Sequence, residues 1–424
     1  MKRTLPDGFV GAVMAVESIS DALAFLHGPG GCRVRFMVYS SAVFPRMRLE
    51  DQEGYFVPYF YGYPRVPATY LDEYDFINGA YYKLEEGLPI VDSKSPRLVV
   101  MINSPGAGLI GDNHEKAIKE AGMADRAIWM DEALVSMPMT QGYDHTLTEI
   151  MEHLRPEKRR TLKDTVNIVG MTVLEKDWEY AIGEMRDNLE SMGLTVRCVP
   201  GAGADLDDLR ESVDSEYCIV VCPEACSTLC AFYESMGLTI IRSDAGAPVG
   251  FDATEAWYRK VAEVTGKDPS VPVAKIAKAR DQIYQKFVGM KYNALRIKGL
   301  RFSVAGIASV VRPLTEWLYD YLAVAPVAVD VDPGYDDREV ERLKEFLESI
   351  DYSDSFGKEP KVGSDIVLCE GITATTMALN GECSIGIPIG QSSMGLDDVI
   401  PRPVYGVQGC LYILDEILHG VRNS

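Results

Sequence analysis

The chain has 424 residues, of which 47% are hydrophobic and 25% charged, a composition typical of globular domains; this length predicts about two to four of them. No run of about 18 apolar residues occurs, and the N-terminus lacks the layout of a signal peptide, so we expect neither membrane insertion nor secretion but a cytoplasmic location. The formal net charge of −21 argues against nucleic acid as a partner.

Apolar runs of strand length alternate with helix-length amphipathic segments along the chain. Such runs are typical of parallel strands that helices cover on both faces. The clearest strands are predicted at residues 97–103, 166–171, 216–222, 300–305 and 364–369, and helices at residues 177–193 and 338–350, with Gly193 as a C-terminal cap.

The pattern restarts near Asp164 and near Lys298, after polar stretches. We therefore expect three doubly wound, Rossmann-like α/β domains around a central cavity, each with a mostly parallel sheet flanked by helices: residues 1–163, 164–298 and 299–424. Ligands of such sheets bind beyond the carboxyl ends of the strands, so the loops that follow the strands are the candidate sites.

Residues 44–82 are crowded with tyrosine and phenylalanine. We predict an irregular, well-packed loop or a subunit interface, because tyrosine is enriched at such surfaces. A pocket that stacks a ring-shaped ligand is the alternative.

Nucleotide-binding and hydrolase motifs are missing. No Gly-x-x-x-x-Gly-Lys-Ser/Thr phosphate loop occurs, and residues 201–204 lack the third glycine and the acidic partner of a dinucleotide fingerprint. If ATP is used, another protein binds it. His27 and His114 lie in glycine-rich loops, but no Gly-x-Ser-x-Gly elbow accompanies them.

Nine cysteines are scattered along the chain, an odd number without framework spacing. In a chain expected in the cytoplasm this indicates free thiols, metal ligands or core residues rather than disulfides. Four of them lie within or beside apolar runs and are predicted to pack in the core: Cys198, Cys218, Cys383 and Cys410.

Residues 27–32 read His-Gly-Pro-Gly-Gly-Cys and follow the amphipathic stretch 19–26. Glycines such as Gly28 and Gly31 let the backbone approach a bulky cofactor while Cys32 presents one thiol. A helix-ending Gly-Pro turn with a buried cysteine is the structural alternative.

Cys222 comes directly after a predicted strand, and Pro223 suits the first position of a helix. The helix dipole would favour the thiolate of Cys222, which is the form that binds metal. We therefore weigh a ligand or reactive role against a core role for this residue. Cys226 and Cys230 lie one and two turns further on and are predicted to face the core.

Cys369 likewise ends a predicted strand and enters a glycine turn at Gly371. It could therefore face the same inter-domain cleft as Cys222, as a further candidate metal ligand.

Taken together, these motifs resemble the nitrogenase component 1 family across nearly the whole chain. The family signature His-Gly-Pro-x-Gly-Cys is matched by residues 27–32, and Glu-x-Asp-x-Val-x-Gly-Gly-x-x-Lys-Leu is similar to residues 73–84. Cys-Pro-x-x-Leu-Ile-Gly-Asp-Asp is similar to residues 104–113, with a two-residue discrepancy. Cys222 has the strand, cysteine and helix setting of the nitrogenase cofactor thiolate.

The resemblance implies a [4Fe-4S]-type iron-sulfur cluster at a subunit interface, with Cys32 as a ligand. Nitrogenase α subunits supply three cysteines there, but here the other two positions fall near Pro6 and Asp7 and at Ser104. Asp7 is therefore a candidate ligand. Otherwise a partner subunit supplies three thiolates, or the interface carries no cluster.

The resemblance also implies an inner cavity, in which Cys222 holds a second metal-sulfur cofactor or faces a tetrapyrrole-like substrate, and it makes His27 a second catalytic candidate. The region that carries the cofactor imidazole in nitrogenase corresponds to residues 390–397, which contain no histidine. Gly406 and Gly409 resemble the family's closing glycine turn and, with Gly371, are candidate cofactor contacts.

In function, the resemblance implies an oxidoreductase subunit that accepts low-potential electrons from an ATP-dependent iron-sulfur reductase and reduces a substrate or metal centre in the cavity. A homodimer, or a heterodimer with a homologous subunit, is expected because the cluster motif has meaning only at a contact between chains. Two alternatives stay open: an assembly scaffold that carries a metal-sulfur precursor on Cys222 without turnover, and a cluster-free relative that binds a small molecule.

Overall fold

The computed structural model describes residues 3, 5–33, 36, 66–93, 95–130, 134–290, 297–390 and 398–423. In these residues the chain forms three sheets, with strand orders β1-β2-β3, β5-β4-β6-β7 and β11-β10-β8-β9. All strand pairs in the three sheets are parallel. Since helices flank these sheets, the predicted α/β fold class is confirmed.

The described strands and helices have the following bounds. The strands are β1 Ala22–His27, β2 Leu98–Asn103, β3 Ala127–Met130, β4 Leu162–Val169, β5 Thr195–Cys198, β6 Ser215–Val220, β7 Thr239–Ile241, β8 Arg301–Gly306, β9 Ala325–Val331, β10 Ile366–Cys369 and β11 Ile385–Pro388. The helices are α1 Gly8–Glu17, α2 Glu73–Asn78, α3 Tyr81–Asp92, α4 His114–Glu120, α5 Met139–Leu154, α6 Trp178–Ser191, α7 Leu206–Glu211, α8 Ser227–Ser235, α9 Phe251–Thr265, α10 Ser270–Met290, α11 Ala308–Leu322, α12 Asp337–Ser349, α13 Gly371–Leu379 and α14 Gly406–Asn423.

The five predicted strands are present as β2, β4, β6, β8 and β10, and the apolar residues of their centres are buried. The stretch 19–26, interpreted as amphipathic, instead contributes β1, which pairs with β2 from Ala22 opposite Leu98 to His27 opposite Asn103. The alternative of a helix-ending turn at His27 is therefore wrong. The stretch forms a strand because nearly all its side chains are buried on both faces of the sheet.

Two loops meet at the carboxyl edge of the second sheet. Gly170 follows β4 with φ of +82°, and a Cβ atom there would lie 2.3 Å from the carbonyl oxygen of Cys222. Only glycine permits this close approach. The loops after β4 and β6 are therefore packed directly against each other.

The predicted helices are confirmed as α6 and α12, each within a few residues of the predicted ends. Gly193 follows α6 with φ of +84°, and its amide donates to the carbonyl of Glu190. It thus ends the helix as its position in the sequence indicated.

Three carboxylates join segments that are distant in sequence by accepting hydrogen bonds from first-turn amides of helices. Asp144 on α5 accepts from Thr228 and Leu229 at the start of α8, at 2.7 and 3.0 Å. In the same way Glu224 accepts from the amide and hydroxyl of Ser309 on α11, and Glu184 on α6 accepts from Val407 and Gln408 on α14. Anions are stabilised at helix N-termini, so each contact holds two parts of the fold together.

The N-terminal residues are tied to the third sheet by Arg3, whose side chain is 2% exposed. Its guanidinium lies 2.6 Å from Asp330 and 2.9 Å from Asp332, with Glu359 and Glu370 at 3.4 and 3.6 Å. A buried guanidinium is tolerated because these carboxylates surround it.

No helix of the described residues is long and apolar enough to cross a membrane. The predicted boundaries after residues 163 and 298 stay predictions; β4 begins at Leu162 and β8 at Arg301.

Helices α1 and α5 cross through glycines, which gives a test of the packing. A Cβ atom at Gly11 would lie 2.0 Å from the carbonyl oxygen of Met139, whereas one at Gly183 on α6 would meet nothing within 4 Å. We expect Gly11→Ala to lower the free energy of unfolding by about 1–3 kcal/mol. The control Gly183→Ala should raise it by up to about 1 kcal/mol through helix propensity. Urea denaturation measures both, and equal stabilities would contradict the described crossing.

Candidate functional site

The loop after β1 is fixed at its base by His27. Its Nε2 lies 3.0 Å from Oδ2 of Asp112, and its Nδ1 lies 3.1 Å from the hydroxyl of Thr69. The Gly28 amide donates to that same hydroxyl oxygen at 3.0 Å. The imidazole is fully buried with both nitrogens engaged, so in this arrangement it holds the loop in place.

Asp112 connects three sequence motifs. Besides His27, its carboxylate accepts from the amide of Ala80 at 3.1 Å. Close by, the fully buried Asp75 receives hydrogen bonds from Lys83 and Tyr82. Burial alone would raise the pKa of Asp75, but the hydrogen bonds from Lys83, Asp72 and Tyr82 outweigh it and lower the pKa to about 2.

The electrostatic environment keeps His27 neutral. Burial and the neighbouring His114 lower the pKa of His27 to about 4, against the opposing effect of Asp112. The ring of His114 meets His27 edge-on at 5.2 Å and stacks on Trp129. A neutral ring suits the hydrogen bonds, because Nε2–H donates to Asp112 while Nδ1 accepts from Thr69.

Cys32 lies in a helical segment, residues 30–33, and is half-buried. Upstream of it, a Cβ atom at Gly28 would lie 2.3 Å from Oγ of Ser104, so this glycine is required by Ser104 itself. Gly31 is exposed, with nothing within 4 Å of its Cβ position. The Ser104 hydroxyl is buried and has no hydrogen-bond partner among the described residues.

Asp7, the predicted extra cluster ligand, is the N-cap of α1. Its side chain accepts from the amide of Val10 at 3.2 Å. Capping engages this carboxylate and explains an aspartate at the position. A ligand role for Asp7 stays a prediction.

The surroundings of Cys222 do not favour a thiolate, and its role as a ligand stays a prediction. Cys222 precedes a 3₁₀ turn, Pro223–Ala225, and the α-helix starts only at Ser227, so no long helix dipole acts on its sulfur. The thiol is fully buried, and its Sγ lies 3.4 Å from the hydroxyl of Tyr405. Burial, with Glu175 and Glu224 nearby, raises the pKa of Cys222 well above the usual value.

Glu175 stands beside this thiol in the loop after β4. It is 7% exposed and hydrogen-bonds Tyr405 and Thr172. Burial raises its pKa to about 7, and the hydrogen bonds from Tyr405 and Thr172 oppose that rise only in part. A buried acid that titrates near neutral pH is uncommon outside functional sites.

A cavity of about 60 Å³ lies where the second and third sheets face each other. This is room for a few water molecules. It is lined by the loops that follow β4, β8, β9, β10 and β11 and by the N-terminal residues, including Arg3, Pro6, Glu175, Gly306, Asp332 and Glu370. The carboxyl ends of strands thus surround the cavity, as expected for a site in this kind of fold.

The other predicted site residues have local roles. Cys369 is fully buried in an apolar cluster with Ala305 and Met377, which is separate from the cluster that contains Cys222, and its role as a metal ligand stays a prediction. The candidate contact Gly371 begins α13. A Cβ atom at Gly406 would meet the Glu184 carboxylate and one at Gly409 the Val404 carbonyl, so the protein's own packing requires both glycines.

The remaining cysteines are mostly packed as expected. Cys198, Cys218, Cys226, Cys383 and Cys410 are buried. Cys230 is half-buried and lines, with Cys226, a separate cleft of about 470 Å³ between α5 and α8. Nothing in the sequence indicated this cleft, because it forms between elements that are far apart along the chain.

The fit of these residues to an iron-sulfur cluster is partial. Among the described residues, no group of three or more His, Cys, Asp or Glu side chains is placed to hold a metal ion. A four-iron cluster takes four protein ligands, usually cysteines. The half-buried Cys32 suits one ligand of a site shared with another chain. A metal-sulfur cofactor on Cys222 does not fit as the side chains stand, because Tyr405 lies against its sulfur and would have to be displaced.

Two predicted features lie mainly outside the described residues: residues 44–65 of the aromatic segment and residues 391–397 of the region without histidine. Of the aromatic segment's described part, Tyr70 contacts Arg33, and Tyr82 binds Asp75.

The sequence patterns did not identify four residues of the site as functional: Arg3, Asp112, Glu175 and Tyr405. Asp112 lies within the third motif, and Glu175 follows a buried strand, so their positions carried a signal. Their partners are distant in the chain and could not be identified from spacing.

Three parallel sheets, with strand-end loops gathered around a polar cavity between the second and third sheets, define an α/β protein with a candidate site at that cavity. A model of the family Nitrogenase component 1 type Oxidoreductase matches residues 8–365. The chain therefore belongs to the nitrogenase component 1 type oxidoreductase family.

Individual relatives are distant. A light-independent protochlorophyllide reductase subunit from Chloroflexus aurantiacus is 24% identical over 216 residues, which cover 50% of this chain and 39% of the relative. The corresponding subunit from Halorhodospira halophila is 24% identical over 267 residues, or 60% and 48% of the two chains. The matched stretch thus spans less than half of each relative.

A solved structure, Nitrogenase Cp1 at pH 6.5, superposes with a TM-score of 0.75 at 16% identity and covers 100% of this chain and 94% of its own. This likeness supports the fold.

The lowered pKa of His27 predicts a pH dependence of stability. In the unfolded chain this imidazole is protonated below about pH 6.5, whereas in the native protein it is protonated only below about pH 4. Stability should therefore be lost as the pH falls through this window, by up to about 3 kcal/mol. Urea denaturation from pH 7.5 to 4.5 should show a weaker pH dependence in His27→Gln than in wild type. The control His419→Gln, at an exposed histidine, should follow wild type. If the free energy of unfolding varies with pH in the same way in all three proteins, the pKa of His27 is not lowered in the native state.

The raised pKa of Glu175 predicts a pH dependence of stability with the opposite sign. The unfolded chain loses this proton near pH 4.5 and the native protein near pH 7, so stability falls as the pH rises between them. Glu175→Gln should exceed wild type by up to about 3 kcal/mol at pH 8 and show no gain at pH 4.5. The exposed control Glu190→Gln should show neither effect. A gain of equal size at both pH values would argue against a buried titrating acid.

Proposed function

We propose that this chain is the electron-accepting subunit of a nitrogenase-like two-component reductase. A separate ATP-dependent iron-sulfur protein docks and supplies low-potential electrons. The observation that carries the proposal is the joining of three family motifs at Asp112, which fixes the base of the Cys32 loop through His27 while Cys32 itself stays half-buried. Family membership supports the same reaction class.

The residues of the loop would orient one cluster ligand. An iron-sulfur cluster, when bound, passes single electrons between donor and acceptor. Cys32 would provide a thiolate to it, and the neutral His27 would keep the loop from moving. The hydroxyl of Ser104, buried beside Gly28 and without a hydrogen-bond partner in the described part of the chain, is a further polar group next to this loop.

A partner subunit would complete the cluster site. Cys32 is the one proposed cluster cysteine of this chain, so a homodimer would supply two thiolates to a cluster that takes four ligands. Either additional ligands or a homologous subunit with three cluster cysteines is therefore needed. The relatives that match this chain are named as one subunit of a reductase, which favours a heteromeric assembly.

Reduction would take place at the cavity between the second and third sheets, which we call the junction cavity. Arg3, Glu175 and Glu370 line it, and the buried Cys222 thiol lies behind Glu175. These groups favour an unsaturated organic substrate that needs protons as well as electrons. Its entry requires the cavity to open beyond its present 60 Å³.

A cluster-free small-molecule-binding relative is the second candidate. Two observations favour it: Cys32 is the one cysteine within the three family motifs at Asp112, and burial raises the pKa of the Cys222 thiol. Such a protein would be stabilised by its ligand and indifferent to electron donors.

Electron uptake tests the leading proposal. The protein, purified anaerobically with any co-purifying subunit, is mixed with a family reductase and ATP, and reductase oxidation is followed in a single turnover. We expect ATP-dependent oxidation for wild type and at least a tenfold loss for Cys32→Ser, because a hydroxyl is a poor ligand for iron. The control Cys230→Ser, another half-buried cysteine, should match wild type. Equal uptake by Cys32→Ser would contradict the proposed role of Cys32.

A further inference from the structure

Glu175 lies between the cavity and the buried pair of Tyr405 and Cys222. Its side chain lines the junction cavity on one side and contacts Tyr405 on the other. Tyr405 is 1% exposed and lies directly against the Cys222 sulfur. Glu175 is therefore the one member of this trio that also lines the cavity.

The three groups form a chain of hydrogen bonds with a defined order. When Glu175 is ionised, the Tyr405 hydroxyl donates to it, and the Cys222 thiol donates to the Tyr405 oxygen. Burial, with Cys222 and Glu175 nearby, raises the pKa of Tyr405 well above its usual range, so the phenol keeps its proton. This chain fixes the orientation of the Glu175 carboxyl group.

Burial and, to a smaller extent, the nearby carboxylate of Glu224 favour the protonated form of the Glu175 carboxyl group. On the cavity wall stand Asp332 and Glu370 with a single guanidinium, that of Arg3, to balance them. Glu224 adds a further negative charge from the loop after β6. The adjacent Lys176 is paired with Asp398 at 2.5 Å.

We propose that Glu175 is the proton donor of the junction cavity and that Tyr405 is a positioning residue for it. This inference rests on the proposed reductase function. The substrate class is a neutral or cationic unsaturated molecule, because an anion would face Asp332 and Glu370 as well as Glu175.

Reduction of one double bond takes two electrons, supplied by the reductase, and two protons. Glu175 gives one proton: its O–H bond breaks, a bond from hydrogen to the reduced atom forms, and the carboxylate remains. Solvent supplies the second proton and restores Glu175 through water in the cavity.

The first measurement needs no substrate. Infrared difference spectroscopy follows the protonated carboxyl band of the assembled protein as the pH is changed. We expect a band in wild type that titrates near pH 7, is absent in Glu175→Gln and moves to higher pH in Tyr405→Phe, which lacks a hydrogen bond that favours the carboxylate. The control Glu316→Gln, at another acid whose pKa is raised by burial, should leave this band in place. A wild type without such a band overturns the inference.

The second measurement separates the inference from the function on which it rests. Glu175→Gln should accept electrons from the reductase within about twofold of wild type but form reduced product about 100-fold more slowly. Glu316→Gln should match wild type in both. Unchanged product formation in Glu175→Gln overturns the donor role and leaves the proposed function intact. A wild-type assembly that accepts no electrons overturns the proposed function and the inference with it.

Discussion

The carboxylate of Asp112 holds together stretches of chain that are far apart in sequence. It accepts from His27 at the end of β1 and from Ala80 between α2 and α3. Because Thr69 occupies the other ring nitrogen, the buried imidazole cannot turn without leaving a polar group unsatisfied. The loop that carries Cys32 is thus rigid at its base, a condition for placing a ligand accurately at a contact between chains.

The junction of the second and third sheets depends on buried carboxylates of a second kind. Asp144, Glu224 and Glu184 each cap a helix that belongs to another part of the fold, so the strand-end loops are held facing one another. Glu175 lies near Glu224 and hydrogen-bonds Tyr405 and Thr172, and its burial lowers stability at neutral pH. An acid kept at such a cost is more readily explained by chemistry at the cavity than by packing.

The sequence was informative where one segment decides its own structure. Strands buried on both faces are recognisable as continuous apolar runs, and a glycine directly after an amphipathic stretch, such as Gly193, marks the end of the helix. It was misleading where distant contacts decide: burial beside Glu175 and Tyr405 keeps Cys222 protonated, although its place before Pro223 indicated a thiolate. The motif loops were found, but not that Asp112 joins them, because hydrogen bonds between distant loops leave no periodic pattern.

The role of Cys32 as a cluster ligand at a contact between chains is the central claim of the proposed function. Iron and acid-labile sulfide in the anaerobically purified assembly, with its EPR spectrum, test this role most directly in wild type and Cys32→Ala. We predict about two irons per chain if two copies share a four-iron cluster, or about four per heterodimer, and loss of both metal and signal in Cys32→Ala. Iron and an EPR signal that persist undiminished in Cys32→Ala would contradict it.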